Sequence, residues 1–366
     1  MRTLRLMLGA CAALLLVSTA AARGPQQEEA YRAAFSAARL GAPPPSAQLA
    51  TEFTLAYRGA VPHAAFAVAR DPVAGRSAWA WISGQPTPEA AQAMALERCR
   101  RALGAIQAEC RILATDGDVD GAAPVAPETG ALGPFRWSPL HLRRGPGAAR
   151  GVIVWGHGYG GPDRDNRNRP IPGLVAVLND AGWDVLRFDR HPGDDALTAS
   201  LPRLIAGLPA LREAGYRQVI LAGQSRGGWQ AIMAAADQPA LVQAVIATAP
   251  AAHGEAHRPN NHTVALDDFR RLLAGLPAEM PRLLVGLFDG DDYDPDPERR
   301  AARLEEVARE RGAPTLALWP QQGIRGHHGA YDWRFTRFYG GCVVTLVQAP
   351  PAATPRGLRR DPCGGG

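Results

Sequence analysis

The sequence predicts an α/β chain, a mostly parallel sheet covered by helices on both faces, with a small α+β unit ahead of it. Two observations carry this. From about residue 135 onward, short apolar runs alternate with stretches of helical period, and uninterrupted apolar strands are those buried on both faces. Residues 121–134 are rich in Ala, Pro and Gly and read as a linker that sets this region apart from residues 51–120. With 366 residues, 46% of them hydrophobic, the chain can bury one large core and still support a smaller unit.

The elements follow in order. Arg2 and Arg5 precede an apolar run over 6–17, and residues 18–22 are the small side chains that a signal peptidase needs. Residues 1–22 are therefore expected to be a signal peptide, the run being short of the ~20 residues of a membrane span. Residues 23–50 read as a flexible segment, with a short helix over 27–40 that stops at Pro43, Pro44 and Pro45. Within 51–120 the pattern predicts strands at 64–70 and 77–82, a helix over 88–103 capped by Thr87, and a strand at 110–114. Asp116, Asp118 and Asp120 alternate in a Gly-containing loop, but the late Glu of a calcium loop is missing, so a solvated turn is expected. Residues 135–350 form the large domain. Its strands are expected at 151–155, 183–189, 218–222, 241–248, 282–288 and 315–319, and its helices at 198–213, 228–236, 269–276 and 297–311. Residues 351–366 read as a C-terminal tail.

The formal net charge is +5, and every basic residue is Arg. The arginines are scattered and form no single stripe, so no nucleic-acid partner is expected. Of five cysteines, Cys11 would leave with the signal peptide. Cys99, Cys110, Cys342 and Cys363 remain, an even number suited to an oxidising compartment, periplasmic or secreted. Four cysteines allow three pairings, and proximity in sequence favours Cys99–Cys110 and Cys342–Cys363. Four unpaired thiols are the plainer alternative.

The strand at 218–222 runs into Gly223-Gln224-Ser225-Arg226-Gly227, and a helix follows. This is a G-x-S-x-G turn between strand and helix, in which the two glycines let the elements cross closely and the serine hydroxyl stands above the sheet. An earlier strand ends in Gly156-His157-Gly158-Tyr159-Gly160. A tetrahedral oxyanion needs two N–H donors, and the backbone groups of Arg226 and Tyr159 are the candidates. His157 reads as structural.

The order strand, H-G-x-G loop, strand, helix, strand, nucleophile turn resembles the α/β-hydrolase family over roughly 135–350. The resemblance implies a nucleophile, an acid and a base in that chain order. Ser225 is then the nucleophile. The acid comes from the loop after the strand at 282–288: Asp291 is favoured, with Asp289 and then Asp292 as alternates. The base comes from Gly326-His327-His328-Gly329, with His328 favoured and His327 the alternate.

Other polar clusters carry less. His253, Glu255, His257 and His262 lack the H-E-x-x-H spacing, so no metal and no cofactor is expected. The arginines at 164, 167 and 169 suit a carboxylate or an anionic sugar, though a solvated, salt-bridged face is the plainer account. No large insertion precedes the acid, so an open site is expected. The resemblance implies a serine hydrolase acting on an ester or amide, a small molecule or polymer fragment, and the expected signal peptide implies export without stable membrane insertion. An esterase is preferred. A serine peptidase or amidase, and a non-catalytic secreted binding or envelope protein on the same scaffold, are the alternatives.

Overall fold

Strands that are apolar at both odd and even positions have two faces to cover, and this chain covers them with helices. The computed structural model describes Leu49 and residues 52–57, 60, 62–71, 76–116, 118–119, 132–138, 141, 143–162, 164–167, 169–254, 258, 261–277, 281–294, 296–321 and 323–363. The expected signal peptide, the helix over 27–40 and most of the linker lie outside these residues. Among the described residues no helix is long and apolar enough to cross a membrane.

The first part folds as a four-stranded antiparallel sheet of β1 (Ala65–Arg70), β2 (Ser77–Ile82), β3 (Arg111–Thr115) and β4 (Asp118–Val119), in the order β2-β1-β3-β4. Helix α1 (Pro88–Ala102) starts at Thr87, whose side chain accepts the Ala90 N–H, and its buried stripe of Ala91, Ala95 and Cys99 packs on one face of this sheet. A disulfide joins Cys99 to Cys110 just before β3, with the Cα atoms 6.0 Å apart. The other face is aromatic: Phe53, Tyr57 and Phe66 meet edge to face and tilted, with centroids 5.3–5.5 Å apart. Asp116 accepts the Ala64 N–H at 2.6 Å and pairs with His63, so one of the three alternating acids is a turn ligand.

The second part is an eight-stranded sheet. Its elements are β5 (Arg136–Trp137), β6 (Gly151–Gly156), α2 (Gly173–Asp180), β7 (Trp183–Phe188), α3 (Leu197–Glu213), β8 (Val219–Gln224), α4 (Arg226–Asp237), β9 (Ala244–Thr248), α5 (Asn261–Ala274), β10 (Arg282–Gly286), α6 (Pro297–Glu310), β11 (Thr315–Leu318), α7 (Trp333–Gln348) and β12 (Gly357–Arg359). The spatial order is β5-β7-β6-β8-β9-β10-β11-β12, parallel throughout except where β5 pairs with β7. This is the α/β-hydrolase fold.

The period of two in the strands sorts the core into two layers. Val152, Val154, Val219 and Leu221 face α3, α4, α5 and α6; Ile153, Trp155, Ile220 and Ala222 face α2 and α7. Two helices lie outside the elements read from the pattern. Helix α2 is buried on nearly every side, so no polar stripe marks its period, and α7 follows the histidine loop. Helix α5 starts directly after Pro259-Asn260, earlier than the expected 269. The stretch expected as a tail supplies β12, and Cys363 closes a disulfide onto Cys342 of α7.

From β6 the chain crosses to β7 on one side, then returns to β8 on the other. The loops leaving the ends of β6 and β8 therefore diverge and open a crevice between them. Both motifs singled out from the sequence sit there.

The disulfide between Cys99 and Cys110 spans 11 residues, a closure worth about 3 kcal/mol by chain entropy. The double variant C99A/C110A is expected to lower the unfolding free energy of the first sheet by that order in urea titrations, read from the fluorescence of Trp79 and Trp81.

Candidate active site

Ser225 links β8 to α4 at φ 55°, a left-handed conformation that costs a non-Gly residue about 1–3 kcal/mol. The neighbours hold it there. The Ser225 N–H donates to the Thr248 carbonyl at 3.0 Å, and the Thr248 hydroxyl donates to the Gly223 carbonyl at 3.2 Å. A Cβ on Gly223 would sit 2.6 Å from the Gly227 carbonyl oxygen. One on Gly227 would sit 2.7 Å from that of His157 and closer still to that of Gly156. Both glycines of the turn are thus required by backbone crossing backbone.

The loop after β6 is pinned by a buried polar network. The Arg190 N–H donates to His157 Nε2 at 2.9 Å, so the ring hydrogen is on Nδ1, which donates to the Gly158 carbonyl at 2.7 Å. Burial first, and then the Arg190 guanidinium, lowers His157 to about 3. It stays neutral near pH 7. Arg190 in turn pairs with Asp195 at 2.6 Å, both fully buried, and donates to the His157 carbonyl. Asp195 accepts the Gly160 N–H at 2.7 Å, and Asn166 donates to the Gly158 carbonyl at 3.1 Å. The loop is held against the serine turn: a Cβ on Gly158 would lie 3.3 Å from Ser225 Cβ. Arg226 is the first residue of α4, where a backbone N–H has no intrahelical acceptor.

The loop after β10 brings Asp291 to His327. Asp291 Oδ1 accepts the N–H groups of Tyr293 at 2.8 Å and Asp294 at 3.0 Å, and meets His327 Nδ1 at 2.7 Å with the carboxylate fully buried. A carboxylate only accepts, so His327 carries its hydrogen on Nδ1 and leaves the Nε2 lone pair open. The partner of the favoured acid is therefore the alternate histidine, not His328. The reason is loop geometry: Gly326 takes φ 78° and its N–H donates to the Asp289 carbonyl, which turns the next ring toward the acid. His328 instead stands between the rings of His327 and Tyr331, and burial, then His327, lowers its pKa. Asp289 is occupied by the Trp319 indole N–H at 2.8 Å, and Asp292 is exposed. Asp294 is fully buried and 2.5 Å from Arg300, which also donates to the Pro250 carbonyl. Burial raises Asp294 to about 7, opposed by Arg300 and reinforced by Asp291.

Ser225, His327 and His328 line one cleft of 460 Å³, with Gly158, Tyr159 and Arg226 on its wall. Gln224 ties its two sides together by donating to the His327 carbonyl at 3.0 Å. A larger groove of 690 Å³ between α5 and α6 is lined by Arg and acid side chains, several of them paired with one another. Glu255 and His257 lie outside the described residues, and His253 pairs with Asp268. Among the described residues no group of three His, Cys, Asp or Glu is placed to hold a metal ion. Gln224, Asn166, Arg190, Asp195 and Tyr293 were not legible as site residues, because each acts through a partner distant in sequence.

Solved structures similar to this chain include a prolyl endopeptidase, at 21% identity over 51% of this chain and 32% of that one, with a TM-score of 0.36. Another is Est1E of Butyrivibrio proteoclasticus bound to ferulic acid, at 18% identity over 50% and 82%, TM-score 0.35. A third is an esterase of Pyrococcus furiosus, at 14% identity over 56% and 83%, TM-score 0.41. The match thus spans about a third of the endopeptidase. No family profile matches the chain, and no curated protein does. The fold assignment rests on strand order and not on these likenesses.

The folded state holds His157 below its ordinary 6.5, so the unfolded chain binds more protons between about 3 and 6.5. Stability from this group is complete above that window and is lost as pH falls through it. Unfolding free energy is expected to drop by about 2 kcal/mol between roughly pH 8 and pH 5 from this residue alone. His157→Gln should flatten that part of the profile in urea titrations at several pH values.

Proposed function

We propose that this chain is an exported serine hydrolase that cleaves carboxylic esters through an acyl-enzyme. The observation that carries the reading is a serine in a left-handed strand-to-helix turn that opens on the same cleft as a histidine bonded to a buried carboxylate. Ser225 Oγ attacks the substrate carbonyl while its proton passes to Nε2 of His327. Asp291 holds the ring in the required tautomer and stabilises the imidazolium. The N–H groups of Arg226 and Tyr159 receive the oxyanion. His327 then protonates the leaving alcohol as the carbonyl reforms. Water repeats the sequence on the acyl-enzyme, releasing the acid and restoring Ser225.

The pairs Cys99–Cys110 and Cys342–Cys363, with the signal-like pattern of residues 1–22, support an oxidising compartment. An ester is preferred to an amide because an alkoxide asks less of leaving-group protonation than an amine does.

A fluorophosphonate probe should label the protein, and Ser225→Ala should abolish labelling. An unlabelled native protein would instead favour a binding protein on this scaffold. On p-nitrophenyl esters, His327→Ala is expected to lower kcat by at least roughly 10³-fold, whereas His328→Ala should keep more than roughly a tenth of the rate. The reverse order would return the base to His328. Faster turnover of aminoacyl amides than of esters would replace the esterase reading with the peptidase one.

A further inference from the structure

We infer that the substrate of this cleft carries a carboxylate, gripped by Arg226 together with Arg164 and Arg169. This inference rests on the hydrolase reading and names the substrate class of that site.

The first argument is the charge of the wall. Arg164, Arg169 and Arg226 all line the cleft, and among the described residues none of its lining side chains is Asp or Glu. Three described carboxylates nearby in sequence are already engaged. Asp195 is held by Arg190 and the Gly160 N–H, Asp291 by His327 and two N–H groups, and Asp165 by Arg167. Arg167, the middle cation of its stretch, is thereby neutralised, while the two beside it line the cleft and have no ion-pair partner among the described residues. Arg169 donates to the Asn166 amide oxygen.

The second argument is preorganisation. Arg226 follows the nucleophile directly. One of its terminal nitrogens donates to the Ala252 carbonyl at 2.9 Å, and its guanidinium lies 4.6 Å from the centroid of the Tyr159 ring. The orientation is preset, yet its buried Nε has no acceptor among the described residues. A desolvated cation is costly, and burial, opposed by the charge of Asp195, lowers the pKa of Arg226. A planar carboxylate accepts from such a fork with two oxygens. A neutral acyl or alcohol group would leave the three arginines that line the cleft without a counter-charge there.

The test compares mono-p-nitrophenyl succinate with p-nitrophenyl butyrate, esters of nearly equal length that differ in terminal charge. The expected kcat/KM ratio is at least about tenfold in favour of the succinate, and Arg226→Gln should reduce that ratio by about tenfold or more. Raising NaCl from about 0.05 to about 0.5 M should narrow the ratio. Hydrolysis of both esters with no preference for the anion would overturn the inference and leave the hydrolase reading standing. A second measurement does not depend on turnover. Ser225→Ala protein is titrated calorimetrically with monomethyl succinate and with methyl butyrate. Tighter binding of the charged ester, lost on adding Arg226→Gln, supports the inference even if neither ester is cleaved. Equal binding of the two esters, or displacement by inorganic sulfate as effective as by succinate, overturns the carboxylate assignment.

Discussion

Everything in the cleft depends on how closely two backbones pass at the end of β8. Gly227 of α4 lies against the carbonyls of Gly156 and His157, and Gly223 against the backbone of Gly227, so neither Gly223 nor Gly227 has room for a Cβ. That contact forces the chain to turn within one residue. Ser225 is the residue that turns, taking a backbone conformation that only a surrounding structure can impose. Hydrogen bonds to Thr248 on the neighbouring strand then hold it in place. The same approach lays the loop after β6 beside the serine, so one constraint positions two parts of the site.

The remaining parts are held by buried charge. Arg190 and Asp195 form an ion pair with almost no solvent exposure, and each also holds backbone of the H-G-Y-G loop. Arg300 and Asp294 do the same for the acid loop, joining it to α6 and to the Pro250 carbonyl. Such pairs contribute little net stability, since desolvation offsets most of the attraction. Their effect is geometric, because breaking either would leave an uncompensated charge in the interior. Two long loops are thereby tied to buried parts of the fold. The polar cost sits behind the cleft, and Arg164, Arg169 and Arg226 line it.

Much of this was legible from residue patterns. Strands with apolar side chains on both faces announce a covered parallel sheet, and the spacing of Gly223 and Gly227 around Ser225 marks a tight turn wherever it sits between strand and helix. Other features carried no local signal. Helix α2 is apolar nearly all round, so its period is hidden. The strand at Gly357–Arg359 is three residues long and forms only because the edge of β11 is there to pair with. Neighbouring arginines at 164, 167 and 169 look alike in sequence, and only folding separates the one that Asp165 neutralises from the two that line the cleft.

By itself the sequence determined the layered sheet, the serine turn, the proximity of the two cysteine pairs and the short list of acids and bases. These follow from local spacing and from hydrophobic period, which depend on neighbours along the chain. Only the tertiary structure sets His327, and not His328, against Asp291, and turns Asp289 to the Trp319 indole. Adjacent residues on a loop point in different directions, and which of them meets a partner 36 positions away depends on backbone angles that the whole fold sets.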